Sequence, residues 1–308
     1  MTILFAGTPE IAVGSLEALV KAGHRVEVLT NPDAPQGRHG TPVPPPVKVR
    51  ALALGLAVHQ PVKLDAEARA LFEGRFELLV SFAFGRIFGP LFLGLFPAGG
   101  VNVHPSLVPR WRGPSPLTAA ILARDTQTGI SVQRLAQKMD SGDVLVRCLR
   151  PLDGTETTGS LTEWAASAAP PLLVEAVAGL AAGTLEGTAQ DEAEATYCSF
   201  IAKDDGRLDW SLSAAELDAR VRACDPWPGA YTTWNGQRLG LRLSSVVAGG
   251  SSPPGTASVD KSKGILVQTG DGLLAVRELQ LPARKSLDFR SFLNGNPSLV
   301  GSRLGEPI

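Results

Sequence analysis

An α/β domain built on a parallel sheet, followed by a smaller β-barrel domain, is the fold class this sequence predicts, and three observations predict it. Apolar segments of strand and helix character alternate through the first part of the chain. Around residues 183–196 the composition turns to Ala, Gly, Thr, Asp and Glu with little periodicity, which reads as a linker. Beyond it, short strand-like runs are separated by Gly, Ser and Pro. At 308 residues the chain exceeds a comfortable single core, so domains are expected over 1–184 and 204–308 with a linker over 185–203.

The elements follow in order. Thr2 to Ala6 reads as a short apolar strand, and Pro9 to Ala22 repeats apolar residues at helical spacing until Gly23 stops it. Arg25 to Thr30 is a second strand. Strand-helix-strand order implies right-handed crossovers in a parallel sheet. Gly7-Thr8-Pro9 lacks the G-x-G-x-x-G spacing of a dinucleotide site, so a Rossmann-like sheet without nicotinamide is the reading. Asn31 to Val47 holds six prolines around Gly37-Arg38-His39-Gly40, which predicts an exposed loop that neither pairs in a sheet nor coils into a helix. Leu78 to Ala83 is an apolar strand, Leu117 to Arg124 a helix, and Gly129 to Ala136 and Asp143 to Leu149 a pair of strands with Asp140 in the turn between them. Gly159 to Leu180 is helical but interrupted by Pro170-Pro171. In the second domain Ser213 to Ala223 is a helix, and Leu239–Val247, Gly264–Thr269 and Leu273–Leu281 are strands.

Hydrophobic content of 44% with 19% charged residues is ordinary for a globular chain and excludes disorder. No apolar run approaches the ~20 residues that span a bilayer, and the N-terminal residues enter a strand pattern directly, so a cytoplasmic protein without a membrane partner is expected. The three cysteines, Cys148, Cys198 and Cys224, are far apart and odd in number, which argues against a disulfide framework or a cysteine zinc site. The formal net charge of −1 supplies no overall basic field for a nucleic acid. Arg38, Lys48, Arg50, Arg110, Arg112, Arg220, Arg222 and Arg238 are candidates for a local positive stripe.

One stretch carries chemistry. In Val101-Asn102-Val103-His104-Pro105 the alternation of a strand puts Asn102 and His104 on one face and both valines on the other. The proline-rich run after them ends the ladder, so an amide and an imidazole meet at the carboxyl end of a strand, where open α/β sheets bind ligands. The other histidines, His24, His39 and His59, have no comparable setting, and no H-x-x-x-H spacing offers a metal site. By spacing alone, Asp140-Ser141-Gly142-Asp143 reads as turn chemistry.

The run Asn102-Val103-His104-Pro105-Ser106-Leu107-Val108-Pro109-Arg110-Trp111-Arg112-Gly113 resembles the N-x-H-x-S-L-L-P-x-x-x-G signature of the 10-formyltetrahydrofolate-dependent formyltransferases. Met139-Asp140-Ser141-Gly142-Asp143 resembles the family's D-x-G motif with its essential aspartate. The opening Ile3-Leu4-Phe5-Ala6-Gly7-Thr8-Pro9-Glu10, with Asp209-Trp210-Ser211 and Asp225-Pro226-Trp227-Pro228-Gly229, extends the likeness over nearly the whole chain. These segments point to the members that act on initiator methionyl-tRNA.

The resemblance implies a Rossmann-like formyltransferase domain, an OB-like C-terminal barrel that binds tRNA, and catalytic roles for Asn102, His104 and Asp140. Formyl transfer to an amine requires a neutral nucleophile, donors toward a negative oxygen, and a proton for the departing nitrogen. Asn102 and His104 suit the second and third tasks, and Asp140 would orient the imidazole or a relay water. Ser106, Leu107, Val108 and Pro109, with Phe84, Gly85 and Ile87, would contact the folate. Arg38 and His39, in the inserted proline-rich loop, would contact tRNA. 10-Formyltetrahydrofolate is then the formyl donor, with no metal, and a monomer is expected. The rival readings are a formyltransferase for a small amine and a non-catalytic RNA-binding protein. The region of Trp210, Trp227 and Trp234 and the loop at Arg38 favour tRNA over the first, and retention of Asn102, His104 and Asp140 together argues against the second.

Overall fold

Strand β1 (Thr2–Gly7) has Ile3, Leu4, Phe5 and Ala6 all fully buried, as a central parallel strand covered on both faces requires. In this computed structural model, which describes residues 1–35 and 40–306, the chain continues through α1 (Val13–Lys21), β2 (Arg25–Leu29), β3 (Ala34–Pro35), β4 (Pro42–Val43), α2 (Pro46–Ala53), β5 (Val58–His59) and α3 (Ala66–Ala70). There follow β6 (Leu78–Phe82), α4 (Pro90–Leu93), β7 (Gly100–His104), α5 (Pro116–Leu122), β8 (Gln127–Arg134), β9 (Val144–Pro151) and α6 (Thr158–Ala182). The last part holds α7 (Ala214–Ala223), β10 (Tyr231–Trp234), β11 (Gln237–Val247), β12 (Ala257–Asp260), β13 (Gly264–Gln268), β14 (Leu273–Gln280), β15 (Leu287–Asp288) and α8 (Phe289–Gly295).

Two compact units result. The first comprises Met1–Pro116, Gln127–Pro151 and Thr162–Ser199. Its seven-stranded sheet runs β5-β2-β1-β6-β7-β8-β9. The first five of these strands are parallel, and β8 and β9 are antiparallel to their neighbours. From β1 the chain moves outward through β2 to β5, then crosses back to β6 and β7 on the other side, which creates a topological switch point between β1 and β6. Under one face lies an aromatic core in which Phe84 stacks on Phe88 and Phe88 on Phe92, with Phe72, Phe76 and Phe96 beside them.

The second unit comprises Leu117–Thr126, Leu152–Leu161 and Phe200–Ile308, the last two residues lying outside the described range. Its antiparallel sheet runs β10-β11-β14-β13-β12, with β15 pairing on β14, and forms the half-barrel of an OB-like domain. Helix α7 opens on a capping box in which Ser213 and Glu216 satisfy each other's backbone N–H. Leu217 and Val221 pack from it into a core with Trp210, Trp234, Leu241, Val276 and Phe292.

The proline-rich loop departs from the sequence expectation. Ala34 pairs with Val43 and Pro35 with Pro42, and Pro46 begins α2. Prolines are tolerated in a two-residue edge ladder and in the first helical turn, where no N–H is needed. The expected RNA contacts Arg38 and His39 lie outside the described residues. Helix α6 also differs, because Pro170 and Pro171 do not interrupt its 25 residues. Without a proline N–H, the Ala166 carbonyl loses its helical donor; it lies against Gly14 of α1, where an added Cβ would come within 3.3 Å of it. By length and mean hydropathy of 1.5, α6 is long and apolar enough to cross a membrane, so the expectation that no such run exists is corrected. Leu161, Ala165, Ala169, Leu173 and Ala176 form a fully buried stripe along it while most of its other residues stay partly exposed, the pattern of a helix that packs one face against a core.

Candidate active site

Strand β7 pairs Asn102 with Ser81 of β6 in parallel register and, on its other side, with Gln133 of β8; His104 pairs with Ser131. Residues directly opposite in an antiparallel ladder share a face. Asn102, His104, Gln133 and Ser131 therefore stand on the same side of the sheet, near the carboxyl end of β7. The loop after β6 and the loop after β7 leave adjacent strands at this edge.

Asp140 comes from the turn after β8, with φ at +51°, the left-handed region that costs a non-glycine residue roughly 1–2 kcal/mol. Two residues on, a Cβ at Gly142 would overlap the Arg134 carbonyl, so only glycine lets the turn fold back this closely. The Asp140 carboxylate is thereby delivered to the strand face. Its Oδ1 accepts from Asn102 Nδ2 at 3.3 Å and Gln133 Nε2 at 3.2 Å. Its Oδ2 accepts from the Gly113 N–H at 2.9 Å and lies 3.6 Å from His104 Nδ1. The three residues expected to act together are thus brought together.

His104 is 4% exposed, and its Nε2 lies 2.8 Å from the Trp111 carbonyl. A carbonyl only accepts, so Nε2 carries a proton and donates it. Nδ1 is then the nitrogen that faces Asp140. One Nδ2 proton of Asn102 is committed to Asp140; the other has no protein acceptor among the described residues.

The loop from Ser106 to Gly113 is held against the segment 196–198. Thr196 N–H donates to Pro109 O, Arg112 N–H to Thr196 O, and Cys198 N–H to Arg112 O at 2.8 Å. Gly113 has φ of +113°, and a Cβ there would overlap the Cys198 carbonyl. Arg112, read from sequence as a candidate for a basic stripe, is fully buried instead. Its guanidinium donates to Gln190 Oε1 at 2.8 Å and 3.1 Å, to Glu192 Oε1 at 2.6 Å and to Tyr197 Oη at 3.2 Å. Hydrogen bonds from Arg112 and then Lys138 hold the Glu192 carboxyl down at about 2. Burial, with the Asp140 charge nearby, pushes the Cys198 thiol up, so it stays a neutral thiol near pH 7.

The remaining expected contacts fall in different settings. Phe84 is buried in the aromatic stack, and its carbonyl already accepts from Thr8 Oγ1 and Asn31 Nδ2. Gly85, with φ of +80°, and Ile87, 75% exposed, present themselves to solvent on the same loop. Ser106 is buried with its Oγ donating to Arg110 O, and Val108 N–H donates to Ser131 Oγ. Leu107, Val108, Pro109 and Arg110 line a cavity of about 720 Å³ with Arg147 and Leu149, and none of Asn102, His104 or Asp140 reaches it. Gln133, Gln190 and the Gly113 N–H escaped the sequence reading. The alternation Ile130-Ser131-Val132-Gln133 was a usable signal for the first, since it puts Ser and Gln on one face of a strand. Among the described residues, no group of His, Cys, Asp or Glu is placed to hold a metal ion.

A parallel sheet with its switch point, a carboxylate-imidazole-amide cluster at the strand ends, and an antiparallel half-barrel define the class. The formyl transferase family matches residues 1–177 and the formyl transferase C-terminal domain matches residues 200–297, so the chain belongs to the formyl transferase family. It is 42% identical over 316 residues to methionyl-tRNA formyltransferase of Treponema denticola, covering 97% of this chain and 98% of that protein. It is 41% identical over 297 residues to methionyl-tRNA formyltransferase of Pseudomonas fluorescens, covering 96% and 93%. Among solved structures, HypX from Aquifex aeolicus in complex with tetrahydrofolic acid superposes with a TM-score of 0.66 at 18% identity, over 100% of this chain and 49% of that one. The N-formyltransferase from Helicobacter canadensis in complex with folinic acid and dTDP-3-aminofucose superposes with a TM-score of 0.66 at 18% identity, over 90% and 98%. These two likenesses establish the fold.

Proposed function

We propose that the protein transfers the formyl group of 10-formyltetrahydrofolate to the α-amino group of methionine on initiator methionyl-tRNA. The observation that carries this reading is the Asp140 carboxylate, which gathers Asn102, Gln133, Gly113 and His104 at one point of the sheet edge. The full-length relatives bear the name of that activity.

The donor set fits a formyl donor, because the uncommitted Asn102 N–H and the His104 Nδ1 lie beside the same carboxylate. When bound, the folate supplies a formyl carbon attached to a nitrogen able to leave. The new C–N bond forms to the methionine nitrogen and the old C–N bond to the folate breaks. Asn102 donates to the formyl oxygen as charge collects there. His104 Nδ1 takes the proton lost by the amine and hands one to the departing nitrogen. Asp140 Oδ2, 3.6 Å away, gives the transient imidazolium an opposite charge.

Ser106, Leu107, Val108, Pro109, Phe84, Gly85 and Ile87 are proposed to hold the folate. The exposure of Gly85 and Ile87 supports their part; Phe84 would act by packing behind them. Arg38 and His39 are proposed tRNA contacts. Residues 1–184 would form the catalytic domain and 204–308 the tRNA-binding domain, joined through 185–203, whose part up to Ser199 packs with the first unit, in a cytoplasmic monomer.

Incubation of the purified protein with methionyl-initiator tRNA and 10-formyltetrahydrofolate is expected to block the methionine amino group. Glycinamide ribonucleotide and uncharged tRNA are expected to remain unmodified. Formylation of the small amine with methionyl-tRNA untouched would refute the reading.

A further inference from the structure

We propose that Gln190 and Gln133 form an oriented relay that positions the Asp140 carboxylate for the reaction. The proposal rests on the function proposed above and adds two positioning residues to it. Arg112 anchors one end of the relay, and its guanidinium can only donate. It donates twice to Gln190 Oε1, which fixes the Gln190 amide with its NH₂ pointing the other way. That NH₂ lies 2.8 Å from Gln133 Oε1, 2.9 Å from the Asp140 carbonyl and 2.7 Å from the Gly142 carbonyl. With its oxygen so engaged, the Gln133 amide has one orientation left, and its Nε2 donates to Asp140 Oδ1.

Two consequences follow for Asp140. Its Oδ1 is taken by Gln133 and Asn102, which leaves Oδ2 turned to His104 Nδ1. Its backbone, in the left-handed region, is held through the Asp140 and Gly142 carbonyls, which share the Gln190 N–H that does not go to Gln133 Oε1, since the amide has two protons for these three acceptors. The segment carrying Gln190 is itself strapped, by reciprocal bonds of 2.8 Å between Thr188 and Val144 and by the Arg112 to Thr196 bond. Gln133 is fully buried, so no water replaces a lost partner without cost.

The test uses Gln190→Glu, which keeps the shape and the Arg112 pairing but removes the donor, and Gln133→Met, which removes the bond to Asp140. Both are read by steady-state kinetics and by the pH titration of the Asp140 carboxyl ¹³C resonance. The relay predicts that each lowers kcat by about tenfold or more, with KM for tRNA and folate within about threefold. It also predicts that the carboxyl titration of Asp140 moves in each. The double variant is expected to be no worse than the poorer single variant, because both act through one carboxylate. If kcat stays within about twofold of the parent, or the Asp140 titration superposes on it, in the variants that fold, the relay is overturned. A wild-type protein that does not formylate methionyl-tRNA overturns the functional reading instead, and the resonance then judges the relay alone.

Discussion

The hydrogen bond from His104 Nε2 to the Trp111 carbonyl decides what the imidazole can do, because it leaves Nδ1 as the nitrogen beside Asp140. Replacing His104 by Ala removes both the proton carrier and the group that pins Trp111. We expect His104→Ala to lower single-turnover formylation by about two to three orders of magnitude, with a cooperative melting transition retained. Near-normal single-turnover rates would remove His104 from the chemistry. Asn102 and His104 were legible because a strand repeats every two residues and proline ends it. Asp140 was legible only through the family motif, since Asp-Ser-Gly is ordinary turn composition. Arg112, Gln133 and Gln190 were not legible as a unit. Their partners lie far along the chain, and a glutamine or arginine in isolation reads as a solvated side chain.

Turns and short pairings place the cluster, and these are the elements that sequence periodicity describes least. The long strands and α7 repeat often enough to be read, whereas β3, β4, β5 and β15 each have two residues and carry no period. The segment 183–196 looks like a linker in composition because its order comes from long-range bonds to Val144, Pro109 and Arg112. Likewise Trp210 and Trp234 were read as part of a tRNA-facing region, yet both sit in the barrel core; Trp227 is exposed. The turn after β8 shows what such geometry costs to disturb. At Gly142 an added methyl meets the Arg134 backbone rather than a movable side chain. Gly142→Ala is therefore expected to destabilise the protein by on the order of 2–3 kcal/mol and to lower kcat as Asp140 shifts. Gly295→Ala, where an added Cβ meets nothing within 4 Å, is the control and is expected to be neutral or slightly stabilising. Equal melting temperatures for the two variants would show that the turn has room to relax.

Across the whole molecule, a net charge of −1 means that attraction to tRNA has to come from local concentration of cations. Several basic residues are already spent on carboxylates: Lys48 on Asp33, Arg50 on Glu17, Arg112 on Glu192 and Arg222 on Asp218. In the C-terminal unit another group is gathered by backbone bonds. Arg277 donates to the Lys263 carbonyl at 3.3 Å and Arg290 to the Lys261 carbonyl at 3.0 Å, which draws four cations to the turn between β12 and β13. Asp260 in that turn accepts from Ser262 and from the Lys263 N–H, so its carboxylate is occupied within the turn. If this group meets phosphates, initiator tRNA binding weakens as salt rises, with each contact adding roughly 0.7–0.9 to the log–log slope. Replacing Lys261 and Lys263 together by Ala is expected to flatten that slope by about one to two and to weaken tRNA binding, while KM for the folate stays unchanged. A slope identical to the parent's would place the phosphate contacts elsewhere on the chain, and binding indifferent to salt in the parent itself would remove phosphate recognition from the account of how this protein engages its substrate.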